Sequence, residues 1–325
     1  MNRFRGLAAL VFGGLVTLAL SAVAALAASG PVLDVDFADP HVMLDDGVVY
    51  AYATNAQRGF GWLNVQVSQS SDGETWSKPV EAMPGVPAWS RREQPDIWAP
   101  EVMKIGGRYV LYFSARHATR RRPDGLTLCV GAAIADKPAG PFVPLAEPLT
   151  CGGEHGVIDA SPFRDGKDLW LYVKTDGNCC RTPIQIRAQR LSPDGLSLVG
   201  EAVAVEGLTN DKPWEGGVIE AQQMVKHGGG YWMFYTGNDY GGGNYAMGYA
   251  QCDGPTGPCR DSARNPILKS DKGLVGPGHQ SVFQVGEDTW IAFHGWRTAA
   301  GRPRYRALYL RQLTWTPEGP VILQP

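Results

Sequence analysis

Three carboxylates and one histidine stand at matching places in this chain. Asp39 opens the phrase DPHVMLDDGVVYAYAT, Asp159 opens DASPFRDGKDLWLYVKT, Glu220 opens EAQQMVKHGGGYWMFYTG and His279 opens HQSVFQVGEDTWIAFHGW. A fifth phrase of the same build, APEVMKIGGRYVLYFSA, begins at Ala99. The starting points lie 60, 60, 61 and 59 residues apart, so these residues share one phase of a repeat. Acids gathered in one small space raise one another's pKa, and an arrangement that costs stability points to chemistry. Two carboxyls across a glycosidic bond are the working unit of most glycosidases: one protonates the leaving oxygen while the other activates water or attacks carbon. A third would hold the acid protonated and orient it. Trp98 in DIWAPE, Trp62 and Tyr240 are candidates to stack on sugar rings; Arg297, Arg302, Arg306 and His41 are candidates to bind hydroxyls. Taken singly, each has a plainer reading. Asp39 precedes Pro40 as in many turns, Trp98 suits a core, and the arginines suit a solvated surface.

The elements that must carry these residues are strands. Each phrase is a short strand, a Gly- or Asp-rich turn and an aromatic strand, which reads as a β-hairpin. Intervening stretches such as LNVQVSQSSDGETWSKP supply two further strands per unit. A period of about 60 residues in an all-β chain predicts a five-bladed β-propeller, whose innermost strands bring equivalent positions together around the axis. A pair of β-sandwiches is the competing architecture.

At 44% hydrophobic and 19% charged, the chain has ample apolar content for a large core. Residues 1–27 read as a cleaved signal peptide: MNRFRG, an apolar run, then small residues near Ala27 and Ala28. An uncleaved anchor is the alternative. Residues 28–325 then form one catalytic domain, secreted or periplasmic. Loss of Arg3 and Arg5 leaves 28 basic against 32 acidic residues, a net charge of −4 that gives no reason to expect nucleic acid or a membrane as partner. The six cysteines favour disulfides in an exported protein. Cys252–Cys259 across DGPTGP is expected first and Cys129–Cys151 next, leaving Cys179 and Cys180 bonded to each other or otherwise oxidised. Their spacings fit no zinc-ligand pattern.

DP at the first strand, WAPEV, VIDASPF, VIEAQQM and GPGHQSV, in that order, resemble glycoside hydrolase family 43 over essentially the whole mature chain. The resemblance implies a five-bladed propeller acting on arabinans, arabinoxylans or xylosides, with inversion at the anomeric carbon. It implies Asp39 as general base, Glu220 as general acid and Asp159 as the residue tuning that acid. It also implies a calcium, held largely by water, beside His279. The segments LTLCVGAAIADKPAGPF, KTDGN and TPIQI look most like α-L-arabinofuranosidases and arabinan-trimming enzymes, so the expected partner is plant cell-wall polysaccharide or oligosaccharide. Gln222 departs from the family, which often has proline there. A β-xylosidase or endo-arabinanase of the same family, a non-catalytic sugar-binding propeller and a phosphorylase are the other readings of the same residues.

Overall fold

The structure, a computed structural model, describes residues 30–324 except 60, 94, 179–181 and 300. Five four-stranded antiparallel sheets account for nearly all regular structure in these residues. Blade 1 runs through His41–Asp45, Val48–Ala53, Gln66–Ser70 and Val80–Glu81, and blade 2 through Trp98–Ile105, Arg108–Arg122, Gly125–Ala135 and Val143–Pro144. Blade 3 takes Val157–Asp165, Asp168–Thr175, Ile186–Leu191 and Leu198–Ala204; blade 4 takes Ile219–His227, Gly230–Gly237, Ala246–Cys252 and Cys259–Asp261. Gly278–Val285, Asp288–Ala299, Arg302–Thr316 and Gly319–Ile322 make blade 5. In every blade the strands lie side by side in chain order. The predicted five-bladed β-propeller is therefore the fold, and the sandwich pair is excluded.

Each inner hairpin closes on residues that tolerate positive φ. Between Ile105 and Arg108, Gly106 and Gly107 take φ of 57° and 81°, the conformation a two-residue hairpin turn needs to match strand twist. The apolar faces pack between neighbouring blades. Tyr52 and Val67 of blade 1 meet Leu111 and Phe113 of blade 2, and comparable buried clusters fill the other four junctions. The core is thus a ring of five interblade layers, which leaves the axis free for polar side chains.

The ring is closed by the start of the described chain: Val32 N–H donates to the Leu308 carbonyl at 2.8 Å and Phe37 N–H to that of Arg306 at 2.7 Å. Both expected disulfides, Cys129–Cys151 and Cys252–Cys259, are formed. Residues 1–29, which hold the expected signal peptide, and the Cys179–Cys180 pair lie outside the described residues. Among the described residues no helix is long and apolar enough to cross a membrane.

Candidate active site

A backbone feature marks the inner end of every blade. Asp39, Ala99, Asp159, Ala221 and His279 hold φ of 54°, 46°, 56°, 53° and 52°, a left-handed conformation uncommon for residues with a Cβ. In blades 2 to 5 the hairpin register slips around this residue, as at a bulge: between Trp98 and Glu101, Ile158 and Ser161, Glu220 and Gln223, Gly278 and Ser281. Glu220 therefore stands one residue ahead of the phase expected for it; the left-handed position in blade 4 is Ala221. Its backbone counterparts are Trp98, Ile158 and Gly278. The carboxyl still reaches the centre, because a bulge re-aims the side chains around it.

Asp39, Asp159, Glu220 and His279 line one cavity of about 630 Å³. Trp62, Trp98, Tyr240 and Arg306 form part of its wall. Trp62 and Tyr240 are 60% and 51% exposed, so each presents a free ring at the mouth. Trp62 is carried by an extra hairpin outside the blades, Ala56–Arg58 with Gly61–Leu63. Three expected binding residues are not brought to this cavity. His41 is buried, with its Nε2 bonded to the Val102 carbonyl at 3.0 Å. Arg297 is spent on an exposed ion pair with Asp34 at 2.8 Å. Arg302 is exposed at the outer end of its strand, beside the hairpin turn.

The three acids sit in different fields. Asp39 Oδ1 accepts from Arg306 Nη1 at 2.8 Å and faces the Nδ1 atoms of His294 and His279 at 3.3 and 3.4 Å; its Oδ2 accepts from Thr54 Oγ1 at 2.5 Å. Burial pushes its pKa up, but the Arg306 guanidinium above all, with His279, outweighs that and holds it well below the carboxylate range. Burial brings His294 down to about 4, so the neutral ring can accept the Asp39 backbone N–H at its Nδ1, 3.1 Å away.

Glu220 accepts at both oxygens. Lys174 Nζ lies 2.6 Å from Oε2 and the Tyr245 hydroxyl 2.8 Å from Oε1. Burial raises its pKa, and the charge and hydrogen bond of Lys174 overcome this to leave it lowered. Asp159 goes the other way, pushed up to about 6 by burial and by the charge of Glu220. Asp159 therefore holds a proton more readily than Glu220 does, because Lys174, which the sequence reading passed over, faces the glutamate.

Other residues it missed are Tyr245, His294 and Thr54, each one contact from an acid. Arg122, the last of three consecutive arginines, has a side chain 5% exposed, bonded to Asp176, to Asp124 at 2.6 Å and to the His155 carbonyl at 3.0 Å. The signal that could have found Thr54, Lys174 and His294 is the same repeat, read in the second strand of each phrase. Gln222 is also accounted for: its amide nitrogen donates to the Asp159 carbonyl and so braces the neighbouring blade. Gln280 makes the equivalent bond to the Ala221 carbonyl at 2.5 Å.

A calcium beside His279 would draw nearly its whole shell from water, since such ions prefer six to eight oxygens. Among the described residues no group of three or more His, Cys, Asp and Glu is disposed to hold a metal.

The sequence profile of glycosyl hydrolases family 43 matches residues 28–321. The chain belongs to this family. It is a glycoside hydrolase of family 43, as the phased motifs imply. It is 28% identical over 284 residues to a β-D-galactofuranosidase of Aspergillus niger, covering 82% of this chain and 76% of that one. A xylosidase/arabinosidase of Bacteroides ovatus is 24% identical, with 88% and 94% covered. Among solved structures, a thermostable family-43 glycoside hydrolase superposes with a TM-score of 0.77 at 27% identity, over 91% of this chain and 96% of that one.

Proposed function

We propose that this family 43 hydrolase is an inverting enzyme that removes α-L-arabinofuranosyl units from arabinan, arabinoxylan or their oligosaccharides. One observation carries the reading: a single cavity holds Asp39, Asp159 and Glu220 together, with the exposed rings of Trp62 and Tyr240 at its mouth. Asp39, kept ionised by Arg306, takes the proton of the attacking water. Glu220 gives its proton to the departing sugar oxygen. Asp159 ties the two by accepting the Ala221 N–H at 2.9 Å, which fixes the backbone that bears the acid. Removal of water from this buried space strengthens each of these interactions.

A second furanoside is favoured by the galactofuranosidase relative. β-D-Galactofuranose and α-L-arabinofuranose share their ring configuration and differ by one exocyclic carbon, so one pocket could take either. β-Xylosides are the other alternative, in keeping with the xylosidase/arabinosidase relative. The paired cysteines and the apolar leader support a location outside the cytoplasm in this reading.

Screening 4-nitrophenyl α-L-arabinofuranoside, β-D-galactofuranoside and β-D-xyloside, together with linear arabinan and product sizing, tests the assignment. Turnover of the arabinofuranoside with release of arabinose is expected. Rapid xyloside hydrolysis without arabinofuranoside hydrolysis would overturn it.

A further inference from the structure

The second strand of blades 2 to 5 places one residue beside the bulge, Ser114, Lys174, Thr236 and His294, and the residue just after it in blade 1 is Thr54. The first four pair with Trp98, Ile158, Glu220 and Gly278 in the order Ser114, Lys174, Thr236 and His294. Thr54 sits likewise, its N–H donating to Ala38 at 3.0 Å. In four blades this side chain does one task, accepting the N–H of the left-handed residue of the next blade. Thr54 accepts from Ala99 at 3.0 Å, Ser114 from Asp159 at 3.1 Å, Thr236 from His279 at 3.0 Å and His294 from Asp39 at 3.1 Å.

Blade 3 breaks the rule. An ammonium has only donors, so Lys174 cannot accept the N–H of Ala221, and Asp159 Oδ2 takes over that bond. A serine or threonine would have capped Ala221 without burying a charge. A buried cation is tolerated only when it is paired. Lys174, fully buried, is paired with Oε2 of Glu220 at 2.6 Å. The lysine is therefore explained by the acid and not by the blade.

We propose that Lys174 is a positioning residue for the general acid: by occupying Oε2 with a group that can only donate, it assigns the transferable proton to Oε1, beside the Tyr245 hydroxyl. This rests on the reading of Glu220 as the acid. Tyr245 donates to Oε1 while the carboxyl is ionised, and its rotating hydroxyl can accept when Oε1 is protonated. In turnover the proton on Oε1 passes to the glycosidic oxygen as its bond to the anomeric carbon breaks. A water oxygen bonds to that carbon and its proton goes to Asp39. Glu220 is left ionised, with its charge met by Lys174.

Glu220 feels Lys174, Tyr245 and His279, and its own charge raises Asp159; Lys174 in turn feels Asp159 and Asp176. Of these, Lys174 contributes the largest downward effect on the acid. Loss of its charge leaves burial freer to push Glu220 up. The alkaline limb of kcat/KM, set by deprotonation of the acid, must then move to higher pH.

The experiment compares wild type, Lys174→Met, Lys174→Gln, Lys174→Arg and Glu220→Gln on two glycosides of the preferred sugar, one with a methyl and one with a 2,4-dinitrophenyl leaving group. On the methyl glycoside, Lys174→Met and Lys174→Gln are expected to shift the alkaline limb upward by about 1–3 pH units. Lys174→Arg is expected to leave it in place. On the dinitrophenyl glycoside, which needs no acid, Glu220→Gln should lose little. An unmoved limb in folded Lys174→Gln, with that Glu220→Gln contrast intact, overturns the role of Lys174 alone. If Glu220→Gln loses as much on both substrates, the acid assignment itself fails. Where the neutral variants do not fold, a shifted limb in Lys174→Arg contradicts the proposal.

Discussion

The site's chemistry rests on giving similar carboxyls different surroundings. Asp39 faces Arg306 and Glu220 faces Lys174, whereas Asp159 carries the burden of burial and is pushed up to about 6. A base role for Asp39 predicts that Asp39→Ala lowers kcat about 10²–10⁴-fold whatever the leaving group. The wild-type enzyme should release sugar of inverted anomeric configuration, which NMR of the first-formed product would detect. Retained configuration would make Asp39 a nucleophile. Asp39, Asp159 and His279 were legible in the sequence because their phase is that of the backbone itself. Glu220 was found at the right residue through a phase one position out. Lys174 was missed although the second strand carries its phase, because VKT at the end of an aromatic strand reads as a charge leaving the sheet for solvent.

The bulged inner hairpin is the element that places these groups. It needs a close approach at Gly278, where an added Cβ would lie 2.1 and 2.3 Å from ring carbons of Tyr245 and 2.7 Å from Thr236 Cγ2. Tyr245 has little room to yield: it is stacked on His294, with ring centroids 5.7 Å apart, and bonded to Glu220. Gly278→Ala should therefore destabilise the fold by about 1–3 kcal/mol. It should also cut kcat about 10²-fold by displacing the acid's partner. Thermal melting and steady-state kinetics on one preparation check both; an unchanged kcat would show that Tyr245 does not position the acid. The hairpins themselves were readable from turn glycines and aromatic strands. Their functional extensions were not: the RRRPDG tip looks like a solvated rim, yet Arg122 turns inward because Asp176 and the His155 carbonyl await it.

At the scale of the whole molecule, five interblade layers and a tie from residues 32–37 to blade 5 hold the axis open. The period of the repeat made this architecture legible, since only a ring brings five such hairpins to one centre. The Cys129–Cys151 link spans 22 residues and joins blade 2 to the segment leading into blade 3. Replacing both cysteines by alanine should cost about 2–4 kcal/mol in stability, with the turnover of the folded fraction retained. Denaturant unfolding alongside activity assays checks this; intact stability would mean the link constrains nothing. Catalysis turns on the division of labour across the cavity, and the most direct test is Glu220→Gln assayed on methyl and 2,4-dinitrophenyl glycosides of the preferred sugar. That division predicts a loss of about 10²–10⁴-fold on the methyl glycoside and of no more than about tenfold on the dinitrophenyl one. Equal losses on the two would contradict it.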